Sequence, residues 1–449
     1  MPAHVLDSLY FRDLYGSAVM RDIFDDHTLL QKWLDYEAAL ARAEAQVGVI
    51  PASAALEISA QARAEYLNDE RIKAGIDKTV HPLVSVIWQL SERCAGDAGG
   101  YVHWGATTQD VMDTALILQL KDAWTPIEQT LDALISACLK LALTYRDSVM
   151  AGRTHGQQAL PITFGFKAAV WAAELRRHRA RMDACKARVL VGEFGGAVGT
   201  LASVAEHGLA IQTALMAELG LGIPEIAWHT SRDHLAEFAA LMGMISASLG
   251  KIAHEIIDLQ KLEFGELEEP FEMGKVGSST MPQKRNPMLC EAVLSLARLT
   301  RAQVSTALDS MMHEHERDWS SFQMEWAYVP ELCIMTHGAM LLSQRILEGL
   351  HVYPKRMVAN LSLTRGTLLA ERVMLALGRH IGRQQAHDIV YEAAMVAYEQ
   401  ERPFADVLKA NAHITLHLSA AEIDRLLDPS DYTGLAGLFV DRVVGGAIP

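Results

Sequence analysis

Long stretches without proline are the feature that most constrains the fold of this 449-residue chain. Three of them are rich in the helix-favouring residues Ala, Leu, Glu, Arg and Met, and they span residues 162–223, 288–329 and 355–402. Residues 110–147 also favour helix, although Pro126 is expected to begin a new segment or to kink the helix. Alternating β-branched runs are scarce, so no convincing sheet is predicted. Helices this long predict an all-α fold built around an extended bundle.

Breaks between these stretches divide the chain into three predicted helical domains. Residues 1–107 form a smaller N-terminal domain that ends in a polar stretch. Residues 108–354 carry the long central helices, and residues 355–449 form a second small domain with a turn-rich tail. Several domains are expected because a chain of this length exceeds one typical core.

Composition excludes several classes of protein. Half of the residues are apolar and 21% are charged, as in soluble globular proteins. Five scattered cysteines without CxxC spacing favour a reducing compartment over a disulfide framework or a zinc site. The net charge of −15 disfavours nucleic acid as a partner but permits small anionic substrates in a cleft that carries local cations.

The sequence gives no indication of export or of a membrane span. The N-terminus has no basic region followed by an apolar run. The best candidate span, residues 131–143, is short and contains Asp132 and Lys140. We therefore expect a cytoplasmic protein without a membrane partner.

A cluster of glycines at positions 192, 195, 196 and 199 could be read as a dinucleotide fingerprint. Such a fingerprint requires a preceding strand within a βαβ unit, and none is predicted here. Close helix packing is the favoured interpretation. No cofactor is expected, and no spacing of metal ligands predicts a metal site.

Four polar islands interrupt the apolar periodicity, at residues 79–82, 102–113, 153–163 and 274–291. Each combines a histidine or lysine with hydroxyl or amide side chains beside Gly or Pro. A lone histidine in a turn is more often structural, and the loop at 274–287 alone would more often be a surface linker. Four islands in one bundle predict a shared polar pocket between helices.

Three of these islands carry a resemblance to a known family. GSSTMPQKRNP, within the loop 274–287, resembles the signature of the fumarase/aspartase superfamily. VHWGATTQDVMDTA and GRTHGQQALPITFG resemble the other two active-site segments of that superfamily. The resemblance is close to the branch of adenylosuccinate lyases and 3-carboxy-cis,cis-muconate cycloisomerases, and it spans nearly the whole chain.

The resemblance implies both a fold and an assembly. Two small helical domains would flank a long central bundle, and four chains would form a homotetramer with a twenty-helix core. Each active site would then be built from three subunits and would take a small dicarboxylate or tricarboxylate substrate.

The implied reaction is elimination of a group β to a carboxylate. Removing the proton leaves an aci-carboxylate dianion, which fixed donors and cations must stabilise. By resemblance, Ser278 is the base, while Lys284 and Asn286 hold the carboxylate. Thr107 and Thr108 add hydroxyl contacts. Making a serine hydroxyl anionic near neutrality costs about 8–11 kcal/mol. Loop N–H groups, Lys284 and exclusion of water must therefore act together, and we expect the loop to close over substrate.

The departing group needs a proton, and His155 is the candidate acid. Glu291 occupies the position where the family places a carboxylate that pairs with this histidine; the alternative is a solvent-facing helix residue. His81 and His103 match positions that contact substrate or support such contacts, with structural roles equally open. Further substrate-binding positions are predicted at Gln157, Ser279, Trp228, Arg232, Phe322 and Trp326.

Departures from the family pattern argue against a nucleotide substrate. Leu14, Phe322 and Trp326 stand where adenylosuccinate lyases contact the phosphate through two arginines and a serine. Apolar side chains cannot replace those charge-assisted hydrogen bonds. Trp228 likewise replaces a glutamine. These aromatic residues are expected to line a pocket smaller and more apolar than a nucleotide site.

The cycloisomerases match the flanking sequence better, at MRDIF, DYEAALARAEA, WHTSRD and LDPSDY. Bacterial cycloisomerases, however, typically have an aromatic residue at the position of His155 and lack the counterparts of Glu291 and His81. We therefore favour elimination from a succinate- or aspartate-derived substrate, giving a fumarate-type product and an amine or similar leaving group. Cycloisomerisation of 3-carboxymuconate is the alternative. An inert structural homotetramer is disfavoured because every catalytic candidate is present.

Overall fold

The structure is a computed structural model that describes residues 4–272, 278 and 280–446. The chain divides into two compact units, each of which gathers three separate stretches of sequence. Unit 1 comprises Met1–Asp132, Arg177–Gly250 and Ala292–Leu341, and unit 2 comprises Ala133–Arg176, Lys251–Glu291 and Leu342–Pro449. The three predicted domains follow breaks along the chain rather than contacts, and they stay a prediction.

Helices account for most of the described chain, which confirms the all-α prediction. The first part contains α1 (Arg12–Tyr15), α2 (Ala18–Ile23), α3 (Asp26–Gln46), α4 (Ala52–Gln61), α5 (Asp69–Thr79) and α6 (Val84–Arg93). The central part contains α7 (Thr108–Thr144), β1 (Val149–Thr154), β2 (Gln157–Thr163), α8 (Phe164–Val189), α9 (Gly208–Leu219), α10 (Asp233–Gln260), β3 (Leu267–Glu268), α11 (Met288–Asp309), α12 (Trp319–Glu348) and β4 (His351–Val352). The last part contains α13 (Pro354–Asn360), α14 (Ala370–Ile381), α15 (Arg383–Glu399), α16 (Phe404–Ala410), α17 (Ala412–Thr415), α18 (Ala420–Leu426) and α19 (Ala436–Val444).

Two long helices continue through a proline, since α7 contains Pro126 and α12 contains Pro330. A proline inside a helix costs about 3 kcal/mol. Around Pro126 the side chains of Trp124, Ile127 and Leu131 are buried, and burying each contributes about 1.5–3 kcal/mol. Packing therefore outweighs the lost hydrogen bond, and the expectation that Pro126 begins a new segment is wrong.

Two short antiparallel sheets stand where the sequence predicts none. β1 pairs with β2 around a register irregularity, and β3 pairs with β4 through two residue pairs. The turn between β1 and β2 consists of His155 and Gly156, whose φ angles of 52° and 74° are left-handed. Tight two-residue hairpins require such angles. The sequence did not predict β1 and β2, because Pro161 and the register irregularity interrupt the alternation of apolar and polar residues that marks a strand.

The helix most similar to a membrane span is α10 rather than residues 131–143, which corrects the sequence-based choice. Its most apolar window has a mean hydropathy of 1.4, and 72% of that window is buried inside the protein. A core helix has the same length and composition. Burial therefore accounts for the apolar character of α10.

Each unit has its own hydrophobic core. In unit 1, α3 packs on α4 and α9, and the core includes Trp33, Tyr36 and Phe194. In unit 2, α14 packs on α15, and Val373 and Phe404 lie fully buried in that core. These cores keep the polar segments described below in place.

One ionisable side chain is buried in the core of unit 1 without compensation. Glu44 on α3 is fully buried, and neither of its carboxyl oxygens has a hydrogen-bond partner within the described residues. Burial, followed by repulsion from Glu37, raises the pKa of Glu44 to about 9. Glu44 is therefore a neutral carboxylic acid near neutral pH.

This burial predicts a pH-dependent stability. In the unfolded chain Glu44 ionises at its ordinary pKa, so the parent loses stability as the pH rises from that value to about 9. Glu44→Gln removes the loss, which has an upper limit of about 1.4 kcal/mol per pH unit. Urea unfolding of both proteins at several pH values measures it. A stability difference that stays constant with pH would show that Glu44 is not held neutral.

Candidate active site

In unit 1, the segment that carries Thr107 and Thr108 is held by the carboxylate of Asp110 in the first turn of α7. Asp110 accepts the backbone N–H of Thr107 at 2.9 Å and those of Gly195 and Gly196 at 3.0 Å each. It also lies 2.7 Å from Nε2 of a buried histidine, His229. Four donors therefore fix this carboxylate and, with it, the start of α7.

The glycine cluster lies in the loop between α8 and α9, and its members are not on a helix. Close helix packing holds for Gly192, where a Cβ would overlap Met216 of α9, while Gly195 and Gly196 belong to the arrangement around Asp110. A Cβ on Gly195 would come within 3.0 Å of both the Gly199 backbone and the His229 ring. The absence of side chains lets this loop approach the Asp110 carboxylate closely.

Two histidines lie near the threonine segment. Nε2 of His81 is 3.0 Å from the Thr108 hydroxyl, and its ring stacks on Trp319 with centroids 5.0 Å apart. Burial, with the nearby charges of His103 and Arg317, lowers the pKa of His81. His81 thus lies beside both Thr108 and the charge of His103, and the contacts of these residues with substrate stay a prediction.

His103 has a carboxylate partner of its own. Its Nδ1 lies 2.7 Å from Oε1 of Glu37, a residue of α3 that is 1% exposed. Burial alone would lower the pKa of His103, but the charge and the hydrogen bond of Glu37 outweigh it, and the pKa is raised.

Arg232 and Trp228 are built into the interior of unit 1. Arg232 is 1% exposed, and its guanidinium binds the carboxylates of Asp113, at 2.8 Å, and of Glu325. The Trp228 ring packs 4.8 Å from that guanidinium, and its indole N–H donates to the Gly192 carbonyl at 2.9 Å. The sequence assigned both side chains to substrate binding. In the structure, the polar groups of both are hydrogen-bonded within the protein.

Phe322 and Trp326 line a cavity of about 230 Å³ in unit 1. Their rings are in edge contact, and Trp319 touches both. The other described residues that line the cavity are Phe24, Asp26, Leu29, Trp33, Pro82, Met112, Leu116, Gln119 and Pro330. The charged residue among these described lining residues is Asp26, and no lysine or arginine is among them, so the cavity does not suit an anion. Trp228 is not among the described lining residues of this cavity, and the role of Phe322 and Trp326 in binding substrate stays a prediction.

In unit 2, Ser278 accepts hydrogen bonds from the backbone of its own loop. Its Oγ receives the N–H of Met281 at 3.0 Å and that of Thr280 at 3.3 Å. Two N–H dipoles aimed at one oxygen favour negative charge on it. Ser279 lies outside the described residues, as do residues 273–277 of the loop.

Lys284, Asn286 and Glu291 line one cavity of about 890 Å³ in unit 2. Lys261, Arg285, Lys355 and Arg356 add positive charge to its walls. Two of these cations are paired, since Lys261 binds Asp258 and Arg285 binds Glu268. The cavity thus brings together Lys284 and Asn286, which are predicted to hold the substrate carboxylate, and Glu291, which is predicted to pair with the acid. The cations in its walls suit an anionic ligand.

His155 and Gln157 lie at the tip of the β1–β2 hairpin in unit 2, and both are exposed. The hairpin is anchored by Arg153, whose guanidinium forks onto the buried carboxylate of Glu266 at 2.7 and 2.9 Å. Asn360 of α13 donates to the same carboxylate at 2.7 Å. A rigid base under an exposed turn presents His155 outward.

One group of side chains has spacing that an ion could fit. Oxygen and nitrogen atoms of Asp110, Glu193 and His229 lie within 4.8 Å of one another. Asp110, however, already accepts four hydrogen bonds, and Oε2 of Glu193 accepts the backbone N–H of Trp228 at 2.7 Å. Burial, followed by the charges of Asp110 and Asp113, raises the pKa of Glu193 to about 9. Asp110 and one oxygen of Glu193 are thus committed to the protein. The other oxygen of Glu193 has no hydrogen-bond partner among the described residues, but it belongs to a neutral carboxyl, which is a poor ligand.

Several residues in this region were missed by sequence reasoning. They are Asp110, Glu193 and His229 around the threonine segment, Glu37 beside His103, and Arg317, which donates to Gln109 at 2.9 Å. Asp110 follows Thr107 by three residues, the spacing of a helix cap, and this local signal could have found it. The other contacts join residues far apart in the sequence.

Comparison with known proteins defines the class. A family model described as "Lyase" matches residues 16–301, and one described as "Adenylosuccinate lyase C-terminus" matches residues 366–443. The chain therefore belongs to the fumarase/aspartase superfamily of lyases, within the branch of adenylosuccinate lyases and 3-carboxy-cis,cis-muconate cycloisomerases. It is an enzyme of that superfamily.

Individual relatives cover essentially the whole chain. An N-acetyl-S-(2-succino)cysteine lyase from Enterococcus italicus is 42% identical over 99% of this chain and 97% of its own length. A 3-carboxy-cis,cis-muconate cycloisomerase from Pseudomonas aeruginosa is 42% identical over 99% of this chain and 96% of its own. The crystal structure of a fumarate lyase from Mesorhizobium sp. BNC1 is 41% identical, with a TM-score of 0.91 over 98% of this chain and 100% of that one.

Proposed function

We propose that this enzyme eliminates an amine or thiol from a small succinate- or aspartate-derived substrate and releases a fumarate-type product. The observation that carries the proposal is the cavity of unit 2, which Lys284, Asn286 and Glu291 line together. The cation of Lys284 and the amide of Asn286 can bind the substrate carboxylate, and the carboxylate of Glu291 can stabilise the protonated form of a histidine acid. Elimination β to a carboxylate needs both features.

Ser278 is the proposed base. Each hydrogen bond to a charged group contributes about 1.5–3 kcal/mol, so the N–H groups of Thr280 and Met281 would supply about 3–6 kcal/mol toward an anionic oxygen. The cost is about 8–11 kcal/mol. The remainder falls to the charge of Lys284 and to exclusion of water when substrate is bound.

His155 is the proposed acid, with Glu291 as the carboxylate that keeps it protonated. The exposed hairpin turn supports this role, because an exposed imidazole can contact a substrate that is bound to a neighbouring subunit. By the family resemblance, the assembly is a homotetramer whose sites are shared between subunits. Thr107 and Thr108 are the proposed hydroxyl donors to the substrate carboxylate. We also place the protein in the cytoplasm.

The leaving group is proposed to enter the cavity lined by Phe322 and Trp326. Phosphate binding needs cations and fixed donors, and the described lining of this cavity offers neither lysine nor arginine. A nucleotide is thereby disfavoured. An engineered apolar cavity of about 150 Å³ in another protein holds benzene, so a cavity of about 230 Å³ holds a small uncharged body.

Cycloisomerisation of 3-carboxymuconate is the second candidate, favoured by 42% identity to the Pseudomonas cycloisomerase. Both reactions pass through an enolic dianion beside a carboxylate. His155 and Glu291 favour elimination, because a poor leaving group needs an acid and its partner.

A substrate panel tests the proposal. The purified enzyme is incubated with S-(2-succino) thiols, N-substituted aspartates and 3-carboxymuconate. Fumarate is followed by its ultraviolet absorbance and by chromatography, and cycloisomerisation is followed by the loss of 3-carboxymuconate. We expect fumarate from at least one succinyl conjugate. Turnover of 3-carboxymuconate alone would establish the second candidate, and no turnover of any substrate would favour an inert protein.

The role of His155 predicts a dependence on the leaving group. His155→Asn should slow release of a poorly departing alkyl amine by about 100-fold or more. A thiol that leaves as a stable anion should be affected much less. Steady-state rates for matched conjugates measure the difference, with His413→Asn, the same change at an exposed histidine of unit 2, as control. Equal losses for both leaving groups would exclude His155 as the acid.

A further inference from the structure

A pair of buried carboxyl groups lies on one face of α3. Glu37 and Glu44 are seven residues apart, about two helical turns, and they are 1% and 0% exposed. Oε1 of Glu37 lies 2.7 Å from Nδ1 of His103. Oε2 of Glu37 and both oxygens of Glu44 have no hydrogen-bond partner in the part of the chain that the structure describes. Glu37 is thus bound to a histidine, whereas Glu44 has no hydrogen-bond partner among the described residues.

His103 is fixed in a strained position beside the threonine segment. Its φ of 61° lies in the left-handed region that non-glycine residues rarely adopt. The charged groups acting on it are Glu37 from α3 and Asp110 from α7, and His81 lies near enough to feel its charge. Because Nδ1 is taken by Glu37, Nε2 is the ring nitrogen left for a ligand.

The charge of the imidazole decides what Nε2 can bind. In neutral His103 the single proton lies on Nδ1, toward Glu37, and Nε2 is then an acceptor that repels a carboxylate. In the imidazolium both nitrogens donate, and Nε2–H binds a carboxylate through a charge-assisted hydrogen bond. A charged partner on Nδ1 therefore controls binding on the opposite side of the ring.

The two carboxyl groups differ in what they contact and in their effect on His103. Burial and the proximity of Glu37 raise the pKa of Glu44 to about 9, so Glu44 stays neutral near neutral pH. The raised pKa of His103 reflects the charge and hydrogen bond of Glu37 overcoming burial. Of the two carboxyl groups, Glu37 is therefore the one that acts on His103.

We propose that Glu37 is a positioning residue that holds His103 as an imidazolium, so that Nε2 of His103 binds a carboxylate of the substrate. The proposal rests on the proposed function only in taking the ligand to be a carboxylate. It assigns a second anion contact in unit 1, separate from Lys284 and Asn286 of unit 2.

Two matched substitutions on α3 test it in the full-length enzyme. Fumarate affinity is measured by calorimetry across pH for the parent, for Glu37→Gln and for Glu44→Gln. In the parent, affinity falls as the pH rises through the raised pKa of His103. In Glu37→Gln this fall should move to lower pH, and affinity near neutral pH should drop about tenfold or more. Glu44→Gln replaces an already neutral group and should keep the parent profile.

A second measurement needs no ligand. Nitrogen NMR of histidine-labelled enzyme, with the His103 signal assigned from His103→Gln, follows the imidazole as the pH changes. His103 should lose its proton at lower pH in Glu37→Gln than in the parent or in Glu44→Gln. Should Glu37→Gln fail to fold, Glu37→Asp withdraws the charge by one methylene and should give a smaller shift in the same direction.

Failure of this inference can be told apart from failure of the proposed function. Unchanged titration of His103 in Glu37→Gln, or an equal shift in Glu44→Gln, overturns the role of Glu37 whatever the substrate. A shifted titration without any change in fumarate affinity overturns the carboxylate contact. The absence of fumarate production from every conjugate overturns the proposed reaction and leaves the titration result standing.

Discussion

Ser278→Ala is expected to lower turnover by about 100- to 10,000-fold while fumarate binding stays close to that of the parent. The substitution removes the oxygen that accepts the N–H groups of Thr280 and Met281 and leaves Lys284 in place. The proton beside the carboxylate then has no base, whereas the carboxylate clamp is intact. Pre-steady-state rates and calorimetric binding of fumarate measure the two effects separately.

The matched control is Ser362→Ala, which changes an exposed serine of unit 2 and should retain full activity. Turnover of Ser278→Ala near the parental rate would exclude this residue as the base. Equal losses of binding and turnover would assign Ser278 to substrate binding instead.

Arg232→Ala is expected to destabilise the protein by about 3–5 kcal/mol. The guanidinium is fully buried between Asp113 and Glu325, so its removal leaves both carboxyl groups in the core without a cation. Burial already raises the pKa of Glu325, and loss of the arginine would raise it further. The midpoint of urea unfolding measures the effect.

Arg188→Ala is the matched control because Arg188 also forks onto one glutamate, Glu237, but at the surface. An exposed pair contributes about 0–1 kcal/mol. The comparison also tests the sequence-based prediction that Arg232 binds substrate. Weaker fumarate binding in Arg232→Ala, with unchanged stability, would favour that prediction over a structural role.

Local motifs carried the chemical predictions, because the residues of one motif are neighbours in the chain. Lys284, Asn286 and Glu291 lie within eight positions of one another, and they line one cavity. Ser278 and its two N–H donors are closer still. A loop this short can be interpreted without knowing the fold.

Contacts between distant segments could not be predicted in this way. Asp110 meets Gly195 and His229 across 85 and 119 positions, and Glu37 meets His103 across 66. Trp228 and Arg232 were assigned to substrate from the family pattern, which does not show their partners within the protein. Arg232 binds carboxylates of α7 and α12, and Trp228 binds the loop between α8 and α9.

The sequence by itself determined the all-α class, the superfamily and the residue types available for elimination, because helix propensity and short motifs are local properties. Only the tertiary structure decided which polar side chains line a cavity and which are paired inside the protein. Glu37 and Glu44 are both buried on one face of α3, but Glu37 binds His103, whereas Glu44 has no hydrogen-bond partner among the described residues and its pKa is raised to about 9. This burial and these contacts depend on segments that meet only when the chain is folded.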